Sequence, residues 1–357
     1  MKMIKFPKIE QFSSIVSNIK KQTQFQGFDE NDEPIMDRYA ILPKVVFKGT
    51  TKCHGTNGSI AFNANTNEFW VQSRKNIITP EKDNAGFAFF VYSNEELFKK
   101  LIIQFAEEQN IDINRYMIVV SGEWAGKGIQ KGVAITEASK FFAIFAVKLV
   151  PINSDGENEE DNQWVSDITT FPVDNEKRIF NIHQFGTFEI EIDFEKPQES
   201  QNKLIEYTDE VEKQCPAGKF FGVTENTIGE GIVWVGEYKD RRKVFKTKGE
   251  EHAKSKVKTL RGVDLVSLNS SIEFANTVCK AWRLEQGAQE VCDTLNGGEY
   301  DIKKTGEVIR WVMKDILEEE LVLIKEYGLT PKQFGAQVSK IVARWFKDEI
   351  EKQVMSK

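Results

Sequence analysis

Hydrophobic and polar positions change their rhythm once along this chain, near Arg261. Before that point, short apolar runs are broken by polar turns, as in half-buried strands. Tyr39–Phe47 and Ser59–Phe62 read as strands around a glycine-rich turn, and Glu68–Ser73 as another. Leu97, Leu101, Ile102 and Phe105 fall at helical spacing and predict a helix over Glu95–Glu108. Tyr116–Val120 is a β-rich run ending in Ser121-Gly122, and Phe141–Leu149 is apolar enough to be a buried central strand. A helix over Leu204–Gln214 and strands over Gly231–Tyr238 and Val244–Lys248 follow. After Arg261 the step becomes three and four: Leu268, Ile272, Ala275, Cys279 and Trp282; Ile309, Val312 and Ile316, continuing through Leu317, Leu321 and Ile324; Phe334, Val338, Ile341 and Trp345. Gly297-Gly298 separates the first two helices, Gly328 ends the second, and Thr330-Pro331 starts the third as N-cap and first-turn proline. The prediction is an α+β protein in two parts, residues 1–255 with antiparallel sheets and residues 262–357 all helical. Trp282, Trp311 and Trp345 are expected in the helical core.

The charge pattern refines this without changing it. The formal net charge of -7 argues against a surface that is basic throughout, but not against a local basic groove. Acids gather in the polar run 153–162, expected to be a surface loop, and bases gather from Arg241 to Arg261. Cys53, Cys215, Cys279 and Cys292 include no C-x-x-C pair, and the three histidines are not spaced with them as zinc ligands, so free thiols are expected. His183 and His252 show no partner pattern. No stretch resembles a signal peptide or a membrane span, which leads to the expectation of a soluble intracellular protein with no membrane partner.

The chemistry concentrates in Lys52-Cys53-His54-Gly55-Thr56-Asn57-Gly58-Ser59. If this segment is extended, Lys52, His54 and Thr56 share a face, beside a glycine that lets backbone approach a ligand. A lysine acts as a covalent nucleophile only when deprotonated, which desolvation or nearby positive charge favours. Lys246 and Lys248 would likewise share one strand face, with Phe245 and Thr247 turned to the core; paired lysines repel, and a polyanion relieves that cost. Glu230 stands at the mouth of an apolar strand, where a carboxylate can meet Mg²⁺. Arg241, Arg242 and Lys243, continued by Lys254, Lys256, Lys258 and Arg261, suit either a nucleic-acid track or a solvated basic linker.

Lys52-x-His54-Gly55-Thr56-Asn57 resembles the nucleotidyl-acceptor motif of the covalent nucleotidyltransferases, in the version of the phage-type RNA ligase 2 family. Further stretches resemble that family's motifs in the same order: Arg74 in Gln72-Ser73-Arg74-Lys75, then Gly122-Glu123-Trp124-Ala125-Gly126-Lys127-Gly128-Ile129-Gln130-Lys131, Phe142-Ala143-Ile144-Phe145, Glu230-Gly231-Ile232-Val233 and Lys246-Thr247-Lys248. The resemblance spans residues 52–248 and implies an N-terminal adenylyltransferase domain. It further implies an ATP-dependent RNA ligase joining 3′-OH and 5′-phosphate ends, with a nicked duplex as the expected substrate. Lys52 would carry AMP; Asn57, Arg74, Glu123 (on the ribose), Phe145 (on adenine), Lys246 and Lys248 would bind the nucleotide. His54 would assist catalysis, Glu230 would support Mg²⁺, with Mn²⁺ as a substitute, and Arg74, Gln130, Arg241 and Arg242 would meet RNA.

The match has departures. Ala146 stands where the family commonly has an acid, Thr50-Thr51 where phage enzymes carry charges, and Ser73 where a lysine often precedes the arginine. Two other readings follow. A DNA ligase or capping enzyme would place a β-barrel after Lys248, against the helical spacing seen there. A non-catalytic RNA-binding relative would explain Ala146, but not the presence of Lys52, Glu123, Glu230, Lys246 and Lys248.

Overall fold

A computed structural model describes residues 2–152, 162–249, 265–292 and 299–355. In chain order the elements are β1 (Glu10–Gln11), α1 (Phe12–Gln24), β2 (Phe25–Phe28), β3 (Pro34–Met36), β4 (Lys44–Thr51), β5 (Thr56–Asn63), β6 (Glu68–Ser73), β7 (Ile77–Ile78), α2 (Phe87–Tyr92), α3 (Glu95–Glu108), β8 (Tyr116–Ala125), β9 (Phe141–Pro151), β10 (Gln163–Trp164), β11 (Ile179–Asn181), β12 (Thr187–Asp193), α4 (Pro197–Lys213), α5 (Pro216–Phe220), β13 (Gly231–Tyr238), β14 (Arg241–Lys248), α6 (Leu265–Val278), α7 (Ala281–Cys292), α8 (Thr305–Glu319), α9 (Leu321–Glu326) and α10 (Pro331–Met355). The chain divides into two compact units, Met1–Thr23 with Leu42–Arg261, and Gln24–Ile41 with Gly262–Lys357. The class is α+β, β-rich in the first unit and helical toward the C-terminus.

Among the described residues, the first unit contains two sheets. One runs β1-β14-β13-β4-β12, the other β10-β9-β8-β5-β6-β7 with β11 beside β9. Among the described residues their pairs are antiparallel except two short parallel ones, β1 with β14 and β11 with β9. Alternation assigns each sheet two faces. One face of the five-stranded sheet, with Phe47, Trp234 and Phe245, packs against Phe12, Ile15 and Ile19 of α1 and Leu204 and Val211 of α4. One face of the seven-stranded sheet, with Ile60, Val71, Val120 and Ile144, packs against Phe87 of α2 and Phe98, Ile102 and Phe105 of α3. Each such buried side chain contributes about 1.5–3 kcal/mol of apolar transfer. With those faces filled by helices, the opposite faces are left for polar chemistry, and the connection from β4 to β5 carries the chain from one sheet to the other.

The helical unit closes over Phe274, Val312, Ile316, Phe334, Val338, Val342 and Phe346. Inside it, Arg283 (2% exposed) donates to Asp315 Oδ2 at 2.6 Å, Glu320 Oε1 at 2.7 Å and the Val278 carbonyl at 2.6 Å. All its charge and most of its donors are thereby satisfied, which a buried guanidinium requires. The β2–β3 hairpin belongs to this unit; past its end, Lys347 Nζ lies 2.8 Å from Asp37 Oδ2.

Several predicted boundaries move. The strand expected at Tyr39–Phe47 is Lys44–Thr51, because Pro43 has no N–H to pair and β4 ladders with both β12 and β13. β8 runs on through Ser121-Gly122 to Ala125 instead of stopping there. The helix predicted at Leu204 begins at Pro197, a residue suited to a first helical turn. Leu317, Leu321 and Ile324 do not share one helix: the backbone leaves helical geometry at Glu320 (φ -106°, ψ 25°). Trp311 and Trp345 pack on the helical core, but Trp282 is 58% exposed, with the Arg283 guanidinium over its ring. The acidic run, Gly297-Gly298, His252, Lys254, Lys256, Lys258 and Arg261 lie outside the described residues, apart from Asn162.

Candidate active site

Residues 52–55 are neither strand nor helix; they form the crossing between the sheets. Lys52 N–H donates to the Gly231 carbonyl at 2.8 Å, which fixes this crossing against the start of β13. One residue before Gly231 stands Glu230, 3% exposed. Its carboxylate gathers three groups: Lys52 Nζ at 2.6 Å and His54 Nδ1 at 3.2 Å on Oε2, and Lys248 Nζ at 2.5 Å on Oε1. Burial alone would raise this carboxyl, but the bonds and charges of His54, Lys52 and Lys248 outweigh it and hold it well below the usual range. Thr56, expected beside Lys52 and His54, instead accepts a hydrogen bond from Asn84 Nδ2 at 2.7 Å. The third partner of Lys52 and His54 is therefore Glu230.

The wall beside this cluster comes from β5 and β8. Asn57 pairs with Glu123 across the ladder, so both side chains face the same way. Glu123 Oε1 accepts from Gly55 N–H at 2.9 Å. Gly55 leaves no room for a side chain, since a Cβ there would lie 2.3 Å from the Trp124 carbonyl oxygen. Surrounding protein pushes the Glu123 carboxyl up to about 7, against the pull of Lys52 and the Gly55 N–H. Asn57 Oδ1 is buried with no hydrogen-bond partner among the described residues. Such an orphan costs about 1–3 kcal/mol, a cost that a ligand donor would remove.

Glu123→Gln offers a pH test. The native carboxyl titrates near 7 and its reference value is 4.5, so the folded state holds the proton more tightly. Wild-type stability should therefore fall as pH rises from 4.5 to about 7 and stay low above. Glutamine keeps the acceptor for Gly55 and never ionises. The variant is expected to gain on the order of 3 kcal/mol over wild type at pH 8 and little at pH 4.5, read by urea denaturation. Equal gains at both pH values would contradict the assignment.

The remaining site residues sit as follows. On β14 the burial alternates as expected, Phe245 and Thr247 inward and Lys246 and Lys248 half-exposed on the other face. Burial, then the charges of Lys52 and Lys248, lower the Lys246 ammonium. Arg74 is exposed, and its charge also acts on Lys246. Gln130 Nε2 reaches the Gly55 carbonyl at 3.4 Å. Phe145 is half-buried at an irregularity of β9: Ser121 pairs with Ala146 and Gly122 with Ile144, so Phe145 is the extra residue of a bulge. Arg241 is exposed at the start of β14, whereas Arg242 turns onto the Trp164 ring, 4.8 Å from its centroid. Lys243 is buried and donates to Gln22 Oε1 at 2.8 Å. Of the basic run, then, these two cations point into the protein.

Three further residues near the site were not singled out in the sequence: Phe6, Lys148 and Trp164. Lys148 is 3% exposed, with Nζ 4.6 Å from the Trp164 centroid. A lone lysine inside the apolar run Phe141–Leu149 was the available signal. Among the described residues no group of three or more His, Cys, Asp or Glu side chains is arranged to hold a metal ion, and no helix is long and apolar enough to cross a membrane. The four cysteines are free thiols.

The family model described as RNA ligase matches residues 46–248. No curated protein matches the chain. Solved structures of Naegleria gruberi RNA ligase are similar at low identity. The form with pyrophosphate is 13% identical with a TM-score of 0.41, covering 71% of this chain and 59% of that one. A mutant with ATP and Mn is 12% identical with a TM-score of 0.40, covering 70% and 57%. A mutant with AMP and Mn gives the same figures, 12%, 0.40, 70% and 57%. This chain thus spans less than two thirds of the length of those chains.

Proposed function

The chain belongs to the RNA ligase family, and on that premise we propose that it is an ATP-dependent ligase of the phage RNA ligase 2 type, sealing 3′-OH and 5′-phosphate RNA ends, as at a nick in a duplex. The observation that carries this reading is the buried Glu230 carboxylate with Lys52, His54 and Lys248 on it, at the crossing between two sheets. The transfer chemistry lies within residues 1–255, and the helices of 262–357 stand outside it. Those helices occupy the region where a DNA ligase or capping enzyme would carry a β-barrel.

The mechanism follows from the chain's own groups. Glu230 orients the Lys52 nitrogen through its 2.6 Å contact. Asn57, Glu123 and Phe145 take the nucleoside of ATP, while Lys246, Lys248 and Arg74 take its phosphates. The Lys52 amine, having lost its proton, attacks the α-phosphorus; an N–P bond forms and pyrophosphate leaves. An oxygen of the RNA 5′-phosphate then attacks the same phosphorus, the N–P bond breaks, and Lys52 regains a proton. Finally the RNA 3′-hydroxyl attacks the activated 5′-phosphate and AMP departs. Each step is phosphoryl-type transfer, in which positioning and charge stabilisation dominate. Arg74, Gln130 and Arg241 would meet the RNA from the rim, and Arg242 would act from beneath, through Trp164.

Both Glu230 oxygens already carry Lys52, His54 and Lys248, so a magnesium ion, with manganese as its substitute, would have to displace one of these contacts. A single buried carboxylate suits an ion that takes its other ligands from phosphate and water. Glu230 would hold it, and when bound it would neutralise triphosphate charge.

The test is incubation with ATP labelled at the α-phosphate and Mg²⁺ or Mn²⁺, followed by denaturing electrophoresis. Acid-labile label on the protein from ATP but not GTP is expected, with sealing of a nick bearing a 3′-OH RNA end. Absence of label across metals and pH would leave only the non-catalytic RNA-binding reading. Preference for a 3′-OH DNA end would assign the protein to DNA sealing instead.

A further inference from the structure

The first eleven residues precede the stretch matched by the family model, yet they are fastened across the site-bearing half of the molecule. Ile4 N–H donates to Gln72 Oε1 at 3.1 Å, and Gln72 Nε2 donates back to the Ile4 carbonyl. Gln72 is 1% exposed, so both of its polar atoms serve the N-terminal backbone. The Ile4 side chain packs on Ala61, Trp70, Val119 and Val150. By two-residue alternation, Ala61 and Val119 share a face with Asn57 and Glu123. One residue on, Lys148 Nζ donates to the Lys5 carbonyl at 3.1 Å. Phe6 then lies edge-on to Phe145 (centroids 5.4 Å apart, planes at 69°) and to Trp164 (5.6 Å, 82°). Glu10 and Gln11 finally pair with Phe245 and Lys246 of β14. The segment thus runs from the strand of Phe145 to the strand of Lys246.

Phe145 packs on the buried cluster that includes Cys53, Ala125, Phe141 and Ala143, and Phe6 meets it edge-on as a further support. Phe145 is the extra residue of a bulge, so its direction is not set by ladder neighbours on both sides. An edge-to-face neighbour fixes a ring and, whichever ring offers its edge, leaves at least one face of Phe145 uncovered by Phe6. An uncovered, fixed aromatic face is what a purine stacks on.

We propose that Phe6 is a positioning residue for the nucleotide: residues 4–11 form a strap that holds Phe145 in its base-stacking orientation and ties it to the Lys246 strand. This rests on the reading of Phe145 as the nucleobase contact. The strap acts on the base end of ATP and not on its phosphate end, where Lys248 and Glu230 stand.

That division supplies the experiment. Binding of ATP and of inorganic triphosphate is measured by calorimetry in the full chain carrying Lys52→Ala, so that no chemistry intervenes. Adding Phe6→Ala is expected to weaken ATP about three- to tenfold, the worth of an aromatic pair, and to leave inorganic triphosphate unchanged. Phe6→Tyr should restore ATP affinity, and Phe6→Ala should add nothing once Phe145 is alanine. Equal weakening of both ligands would reduce Phe6 to a structural role and overturn the proposal; so would unchanged ATP affinity, or additivity with Phe145→Ala. Failure of the ligase reading shows separately: unmutated protein would acquire no label from ATP while the Phe6 effect on ATP binding persisted, which would support the strap alone. If ATP does not bind the Lys52→Ala chain at all, both readings fall.

Discussion

Lys52→Ala is expected to abolish transfer of AMP to the protein while leaving it folded. In the proposed mechanism the substitution removes the nitrogen that forms the N–P bond, and no other described lysine of the site replaces it: Lys248 is held by the opposite oxygen of Glu230, and Lys246 lies two rungs further along β13–β14, opposite Val233. Loss of a covalent nucleophile lowers turnover by on the order of 10⁴-fold or more. The fold should survive, because the backbone bond from Lys52 to Gly231 remains and Glu230 keeps Lys248 and His54. Lys52→Arg should fail equally, since a guanidinium does not give up its proton. In the proposed mechanism the sealing step makes no use of the Lys52 amine as nucleophile. Both variants should therefore still join RNA supplied with a pre-adenylylated 5′ end. Labelling gels, a nick-sealing assay with that substrate and thermal melts check the three statements. Labelled Lys52→Ala protein would move the nucleophile elsewhere.

Glu230→Gln is expected to damage both chemistry and stability. The carboxylate is 3% exposed and is the shared acceptor of Lys52, His54 and Lys248. Without its charge, two ammonium groups face each other at the mouth of β13 with a neutral amide between them. Removing one partner from a buried ion cluster costs about 3–5 kcal/mol. If Glu230 orients the Lys52 nitrogen as proposed, its loss should lower adenylylation by about 10²–10³-fold, the usual effect of deleting one preorganised electrostatic contact. Acid provides the control. The folded carboxyl titrates well below its reference value of 4.5, so its stabilisation is complete above that pH and is lost as pH falls toward the folded value. The gap between wild type and Glu230→Gln in urea melts should stay constant around neutrality and narrow below about pH 4.5. A gap that widened on acidification would contradict the ion cluster.

Much of this was legible along the chain, and the reason is locality. The helix at Glu95–Glu108 and the strands at Glu68–Ser73 and Gly231–Tyr238 appear with their predicted bounds, because period and capping are properties of neighbouring residues. The outward face of Lys246 and Lys248 was equally plain, since Phe245 and Thr247 between them belong inside. Errors of extent had tertiary causes: β4 is displaced past Pro43 by pairing with strands over a hundred residues away, and the helix through Leu317 breaks at Glu320, whose side chain answers Arg283.

By itself the sequence determined the class of the fold and the change from sheets to helices, and it singled out the side chains that the proposed nucleotide transfer rests on: a lysine with its histidine, two carboxylates, a lysine pair. Only the tertiary structure decided their partnerships. Glu230 meets Lys52 across 178 positions, Gly55 meets Glu123 across 68, and Phe6 reaches Phe145 through a bulge that no local pattern announces. Periodicity reports which way a residue faces from its own strand; what it faces depends on how two sheets are joined. That is why Thr56, in step with Lys52 and His54, bonds to Asn84, and why Glu230 takes its place beside them.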